Sequence, residues 1–244
     1  MQSERLVGAE RTAAKAALYE QFAVVGKALG NPVRLLLLDL LAQGERSVDD
    51  LVRELGMKLS NTSAQLQVLR HAGLVETRRE GTSIYYRLAG DDVATLVDGV
   101  RTVASTRLAA ATDAAAAYLG DRSTMQQITA AELRRRIKAG DVEVIDVRPA
   151  IEYEAGHVPT ARSIPIEQLE RRLDELSADT QIVAYCRGPW CVYAPDAARL
   201  LERRGYDVSV FTDGYPGWRR NTVTRRSAPR PRHARQTAQP VDET

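Results

Sequence analysis

Cysteine is nearly missing from this chain: only Cys186 and Cys191 occur in 244 positions. So few cannot staple a disulfide scaffold, and in a reducing compartment such a pair is more often reactive or metal-binding. Phenylalanine and tryptophan also occur only twice each, so any core must be assembled mainly from aliphatic residues. No run approaches the roughly 18 consecutive apolar residues of a membrane helix. The first stretch, MQSERLVGAERTAAKAALYE, carries charges where a secretory signal needs an apolar core. A cytoplasmic chain without membrane contact is therefore expected. An excess of one charge is missing too. With 34 basic and 32 acidic residues the net charge is +2, so any nucleic-acid surface has to be local.

What is present suffices for two domains of roughly 100 residues each. The helical first half gives way to an alternation of strand and helix near YLGDRSTMQQ, where Gly120, Asp121 and Ser123 interrupt the pattern. The expected division is 1–120, 127–222 and a basic tail, 223–244. That tail includes Arg225, Arg226, Arg230 and Arg232, lacks periodicity and is expected to be disordered.

In the first half, RTAAKAALYEQFAVVGKALG reads as a helix stopped before Pro32, and PVRLLLLDLLAQG as a second helix ended by Gly44. SVDDLVRELG opens on Ser47 with Asp50 three positions on, the spacing of a capping box. LSNTSAQLQVLRHAG predicts a further helix with Leu59, Leu66 and Leu69 inward. LVETRREGTSIYYRL alternates as a hairpin does, and DDVATLVDGVRTVASTRLAAATDAAAAYLG predicts one long closing helix. Helix, short helix, turn, helix and hairpin is the order of a winged helix-turn-helix. The residues from KALGNPVRLLLLDLL through LSNTSAQLQVLRHAG to GTSIYYRL resemble the ArsR family of winged-helix repressors.

A helix-turn-helix reads DNA with the polar face of its second helix. Here Ser60, Asn61, Thr62, Ser63, Gln65, Gln67 and Arg70 supply that face, and Arg78 and Arg79 at the wing would meet phosphate. Any one of these could instead be an ordinary solvated side chain. The resemblance implies a homodimer on an inverted-repeat, double-stranded operator, with Val24, Leu29, Val97, Val100 and Leu108 along the dimer seam. It also implies metal sensing only where cysteines, or His with Asp, occupy particular helices. This half has no cysteine and a single histidine, His71, so neither a metal nor a cofactor is expected.

In the second half VEVIDV, IVAYC and YDVSVFT read as buried strands, and ITAAELRRRIKAG and APDAARLLERRG as helices. That alternation implies an α/β domain with a mainly parallel sheet. IDVRPAIEYEAGHVPTARSIPIEQL, then YCRGPWC, then DGYPGWR resemble a rhodanese domain, a sulfurtransferase fold. The resemblance marks Cys186 as the nucleophile and Asp146, Arg148, Glu152 and His157 as supports. A Cys–His pair through His157 is the alternative reading of that histidine.

The loop after IVAYC explains why cysteine would be spared for this place. A strand entering a helix through Arg187, Gly188, Pro189, Trp190 and Val192 turns several backbone N–H groups toward one point, which favours a thiolate. A phosphate-transferring loop would need an arginine six positions after the nucleophile, and Val192 stands there. Sulfur chemistry fits better: attack on a sulfane-sulfur donor such as thiosulfate or polysulfide leaves a persulfide on Cys186. Many relatives carry arginine where Cys191 stands, so Arg187 is the substitute anion holder. Cys191 is either a resolving thiol or a packed one. The expectation is a DNA-binding repressor that responds to sulfane sulfur or thiol oxidation. The alternative is a sulfurtransferase with turnover that the winged helix localises or autoregulates.

Overall fold

The computed structural model describes residues 2–227, and side chains from 10 to 220. Helices α1 (Gln2–Leu29) and α2 (Pro32–Leu41) begin the first domain, with Asn31 capping α2 through bonds to the N–H groups of Val33 and Arg34. The short strand β1 (Arg46–Ser47) leads into α3 (Val48–Leu55), where Ser47 and Asp50 close the capping box read from the sequence. Losing such a cap costs about 1 kcal/mol. Next come α4 (Leu59–His71), the hairpin β2 (Val75–Glu80) and β3 (Ser83–Leu88), then α5 (Asp91–Arg107) and α6 (Ala109–Leu119).

Two features of this half depart from expectation. The closing helix breaks at Leu108, which adopts an extended backbone (φ −113°, ψ 109°). Thr112 Oγ1 donates to the Ser105 carbonyl at 2.9 Å across the break, giving that carbonyl a partner. Strand β1 was also not foreseen; it pairs antiparallel with β3, Arg46 opposite Tyr86, and makes the wing a three-stranded sheet. The core joins Leu37, Leu38, Leu41, Leu51, Leu66 and Leu69 with Val93 and Val97.

The second domain runs β4 (Gln127–Ile128), α7 (Ala130–Ala139), β5 (Val142–Asp146), α8 (Ala150–Ala155), β6 (Arg162–Ser163), α9 (Ile166–Leu169), β7 (Gln181–Tyr185), α10 (Tyr193–Arg203), β8 (Val208–Phe211) and α11 (Gly214–Ser227). All pairings in the sheet are parallel, in the order β4-β8-β7-β5-β6. Strand periodicity divides the core. Ile145, Ile182 and Ala184 pack on α10, while Val144, Val183 and Tyr185 face Leu133 and Trp218. With both faces covered, the strands read as continuous apolar runs. Because α11 continues to Ser227, positions 223–227 are helical rather than tail; the remainder of the expected tail lies outside the described residues.

The domains touch along one face. A Cβ on Gly44 would lie 2.5 Å from that of Ala155, so the approach there requires a residue without a side chain. Arg219 and Arg220 of α11 pair with Asp91 (2.5 Å) and Asp98 (3.0 Å) of α5. Among the described residues no helix is long and apolar enough to cross a membrane.

Candidate functional site

The loop from Cys186 to Val192 joins the end of β7 to α10. Its shape is fixed from both sides. The Cys186 carbonyl accepts from Tyr215 N at 3.1 Å, and Cys191 N donates to the Gly188 carbonyl at 3.1 Å. Gly214 (φ +61°) passes so close that a Cβ there would sit 2.4 Å from both the Cys186 carbonyl and the Gly188 nitrogen. Arg122 grips the outside, donating to the carbonyls of Pro189 (2.9 Å) and Cys191 (2.7 Å). Arg122 lies in what reads as linker sequence, 69 positions from Cys191, and no local pattern marked it.

Both thiols are free and buried, Cys186 2% and Cys191 8% exposed. They are not equivalent. Burial pushes the Cys186 thiol well above its ordinary value, with backbone N–H groups of Ala194 and Gly188 only partly offsetting it. The Cys191 thiol is pulled down to about 7 by the hydrogen bond from Cys186, against its burial and with help from the N–H groups of Arg187 and Tyr193. The surroundings thus favour the thiol form of Cys186 and the thiolate of Cys191. The cradle expected to ionise Cys186 therefore stabilises its neighbour, because Cys186 lies deeper in the core.

The supports form two connected knots. Arg148 is fully buried and clamps Asp146 with two aligned bonds, Nε to Oδ1 at 2.9 Å and Nη2 to Oδ2 at 2.5 Å. Tyr185 Oη donates to the same carboxylate at 2.6 Å, and Arg148 also reaches the Gly156 carbonyl at 2.8 Å. This knot ties the ends of β5 and β7. His157 bonds the Tyr153 carbonyl through Nδ1 (3.0 Å) and stacks on that ring at 3.8 Å. Among the described residues no hydrogen bond joins it to either cysteine, so the Cys–His alternative has no geometric basis.

The second knot alters the reading of Arg187. Its guanidinium donates to Glu152 (Nη2, 2.6 Å) and to Glu54 of α3 (2.5 Å), and lies over the Tyr193 ring at 5.3 Å. Burial opposes its charge, but the carboxylate bonds outweigh burial and raise its pKa. A guanidinium held this way would have to give up a carboxylate to hold a donor anion. Glu152, fully buried, also receives Arg46 from β1 at 2.8 Å, a charge contact without hydrogen-bond alignment. Gln43 of the first domain approaches Arg148 at 3.4 Å. Glu54, Arg46 and Gln43 were not foreseen, since each comes from the other domain.

Between the domains, over the cysteine loop, lies a cleft of about 310 Å³. Cys191, Gly188, Pro189 and Trp190 line it and Cys186 does not; Asp39, Arg101 and Tyr118 form the facing wall.

On α4, Ser60, Asn61, Gln67 and Arg70 are exposed and Ser63 and Gln65 half-buried. Thr62 does not belong to this face: it is fully buried, its hydroxyl donating to the Lys58 carbonyl at 3.3 Å. Four positions before Leu66, it lies on the inward stripe. Leu59, expected inward, is 54% exposed. Gln67 donates to Tyr86 Oη at 3.1 Å, and Gln65 accepts from Arg34 at 2.9 Å. At the wing Arg79 is exposed, whereas Arg78 is bound by Glu45 (2.7 Å) and Glu80 (2.5 Å). Of the expected seam, Leu29 and Val97 are buried in their own domain; Leu108 is exposed.

The chain thus joins a winged helix to a parallel-sheet domain that carries a cysteine loop. Residues 31–77 match the model of the arsR family of bacterial regulatory proteins, and residues 129–221 match that of the rhodanese-like domain. The chain is 54% identical over 205 residues to the HTH-type transcriptional regulator Rv0324 of Mycobacterium tuberculosis, covering 84% of this chain and 90% of that one. It is thus a transcriptional regulator of the ArsR family carrying a rhodanese-like domain. It is also 45% identical over 83 residues to the biofilm growth-associated repressor of Agrobacterium fabrum, over 34% of this chain and 71% of that one. A solved winged helix-turn-helix fragment of Mb0332 from Mycobacterium bovis, described as homodimeric, is 57% identical, covering 38% of this chain and 87% of that one (TM-score 0.37).

Proposed function

We propose that the protein is a dimeric repressor whose affinity for an inverted-repeat operator is set by sulfane sulfur, or by thiol oxidation, at the Cys186–Cys191 pair. The observation that carries this is that two free, buried thiols sit in one loop whose Arg187 is ion-paired to Glu54 of the DNA-reading half. Sulfur from a donor ends as a disulfide or polysulfide bridge between the two cysteines. Closing it removes the thiolate and moves the segment that carries Arg187. Ser60, Asn61, Gln67 and Arg70 read the operator and Arg79 meets phosphate. Exposed Leu18, Tyr19 and Phe22 on α1, with Val103 and Leu108, supply the apolar surface for a second copy.

Steady sulfurtransferase turnover is disfavoured, because the arginine that would hold a thiosulfate anion is committed to two carboxylates. The deciding experiment measures operator affinity before and after inorganic polysulfide, with intact mass on the same samples and both cysteine-to-serine variants alongside. A change in affinity that tracks formation of the bridge, seen as lost thiols or added sulfur, and is absent from the variants supports the reading. A bridge formed with unchanged affinity refutes it.

A further inference from the structure

The family resemblance makes Cys186 the residue that meets the donor, but the wall of the interdomain cleft contains Cys191 and not Cys186. A donor coming from solvent through that cleft meets Cys191 before Cys186. The charges there are mixed. Arg101 pairs with Asp39 at 2.7 Å and with Asp98 at 3.4 Å, and Arg220 pairs with Asp98 at 3.0 Å. A bare inorganic dianion would have to displace carboxylates from these arginines. A zwitterion offers an ammonium to Asp39 and a carboxylate to Arg101, so each partner it loosens from the other gains an opposite charge in exchange. Trp190, Tyr193 and Tyr118 add ring surface for an organic chain, and about 310 Å³ suits a small organic molecule.

We propose that Cys191 is the entry nucleophile, taking sulfur from an amino-acid-derived persulfide bound in the cleft between the two domains, and that Cys186 is the resolving thiol. The proposal rests on the sulfur-responsive reading above and reverses the roles that the resemblance implies. The Cys191 thiolate attacks the outer sulfur of the donor R–S–SH, the donor's S–S bond breaks, and RS⁻ leaves. Cys191 is then a persulfide. Cys186 next attacks Cys191 Sγ, the new S–S bond breaks, and hydrosulfide departs with the Cys186 proton as H₂S. The product is a Cys186–Cys191 disulfide. The thiol pair has lost two electrons and the sulfane sulfur has gained them, so no further oxidant enters. The lowered pKa of Cys191 agrees with this order. Because the cleft has walls from both domains, a bound donor also bears on their arrangement.

The test treats wild type, Cys186→Ser and Cys191→Ser with limiting cysteine persulfide or with thiosulfate, blocks free thiols after short intervals, and maps the labelled peptide by mass. Cys186→Ser is expected to gain one sulfur on Cys191, with cysteine persulfide at least about tenfold faster than thiosulfate, and Cys191→Ser to gain none. Asp39→Asn is expected to slow transfer from cysteine persulfide roughly tenfold, the size of one charge-assisted contact. Its reaction with neutral iodoacetamide should be unchanged, showing the loop intact; if that rate falls as well, Arg101→Gln is judged by the same comparison. Sulfur on Cys186 in Cys191→Ser with none on Cys191 in Cys186→Ser overturns the order. Equal rates from both donors, untouched by Asp39→Asn, overturn the ligand. Operator affinity of the wild type on the same samples separates the two claims: unchanged affinity once the Cys186–Cys191 disulfide has formed sinks the regulatory reading and leaves this one standing.

Discussion

The guanidinium of Arg187, in the cysteine loop, lies 2.5 Å from the carboxylate of Glu54, in the helix that packs on the recognition helix, although 133 positions separate them. The same guanidinium holds the buried Glu152, which in turn holds Arg46. Arg46 stands opposite Tyr86 in the wing, and Tyr86 Oη accepts from Gln67 of the recognition helix. Movement of the loop therefore has a contiguous route, through charges and one sheet register, to the helix and the wing proposed to read DNA. Such a chain is a physical proposal about coupling and stands or falls on measured affinities.

Replacing Glu54 by Gln should weaken that coupling with little loss of stability, since a partly exposed ion pair contributes only about 0–1 kcal/mol. Coupling between sites in regulators typically changes affinity by roughly 5- to 150-fold. In Glu54→Gln, the ratio of operator affinities before and after polysulfide should fall toward unity, while sulfur still adds to the loop. An unchanged ratio would remove Glu54 from the route.

Much of this architecture was legible because it repeats at short range. The capping box at Ser47, the hairpin alternation and the apolar strands each follow from residues within a few positions of one another, and the structure has them. The break at Leu108 was not legible, because alanine-rich sequence on both sides favours helix and carries no stop signal. Thr62 was misread although the signal existed: its spacing to Leu66 and Leu69 places it inward, and polarity alone suggested the other face. The ion pairs of Arg187 were hidden for a different cause. Its partners Glu152 and Glu54 lie 35 and 133 positions away, so what the guanidinium does is a property of the assembled domains.

Glu152 predicts a larger stability effect. It is fully buried, with Arg187 and Arg46 both directed at it. Glu152→Gln leaves two arginines sharing a neutral amide, and removing one partner of a buried ion pair costs about 3–5 kcal/mol. Urea unfolding followed by circular dichroism should show a lowered midpoint. A loss below about 1 kcal/mol would mean that water reaches the site and screens it.

The two wing arginines should separate in their dependence on salt. Arg79 is exposed, its Nε bonded only to the Gly81 carbonyl at 3.1 Å, whereas Arg78 would have to leave Glu45 and Glu80 to reach phosphate. Arg79→Ala should lower the slope of log affinity against log salt by about 0.9, the release expected for one phosphate contact. Arg78→Ala should change it less. Equal changes would show that the carboxylates let go of Arg78 when DNA binds.

The unequal thiols of the cysteine pair make the last prediction one of pH. The folded environment favours the Cys191 thiolate, so Cys191 ionises below the range of an ordinary thiol, and its alkylation should rise through a midpoint near pH 7. The largest cause is the hydrogen bond from Cys186. Cys186→Ala removes that donor and should move the midpoint up toward the ordinary value of about 8.5, while Cys186→Ser keeps a hydroxyl donor and should move it less. The sign follows from which form is stabilised: a donor to the thiolate lowers its pKa, and losing the donor raises it. For the same cause, the part of folding stability owed to the Cys191 thiolate is present above the thiol's unfolded value and lost as pH falls through about 7. The raised thiol of Cys186 acts in the opposite sense, its protonated form being favoured in the fold and lost only at higher pH. Stability is therefore a poor reporter of this pair and reactivity a good one. Rate against pH for Cys191, resolved by peptide mass in wild type and the two variants, is the decisive comparison. A midpoint that stays near 7 in Cys186→Ala would assign the depression to the backbone N–H groups of Arg187 and Tyr193 instead.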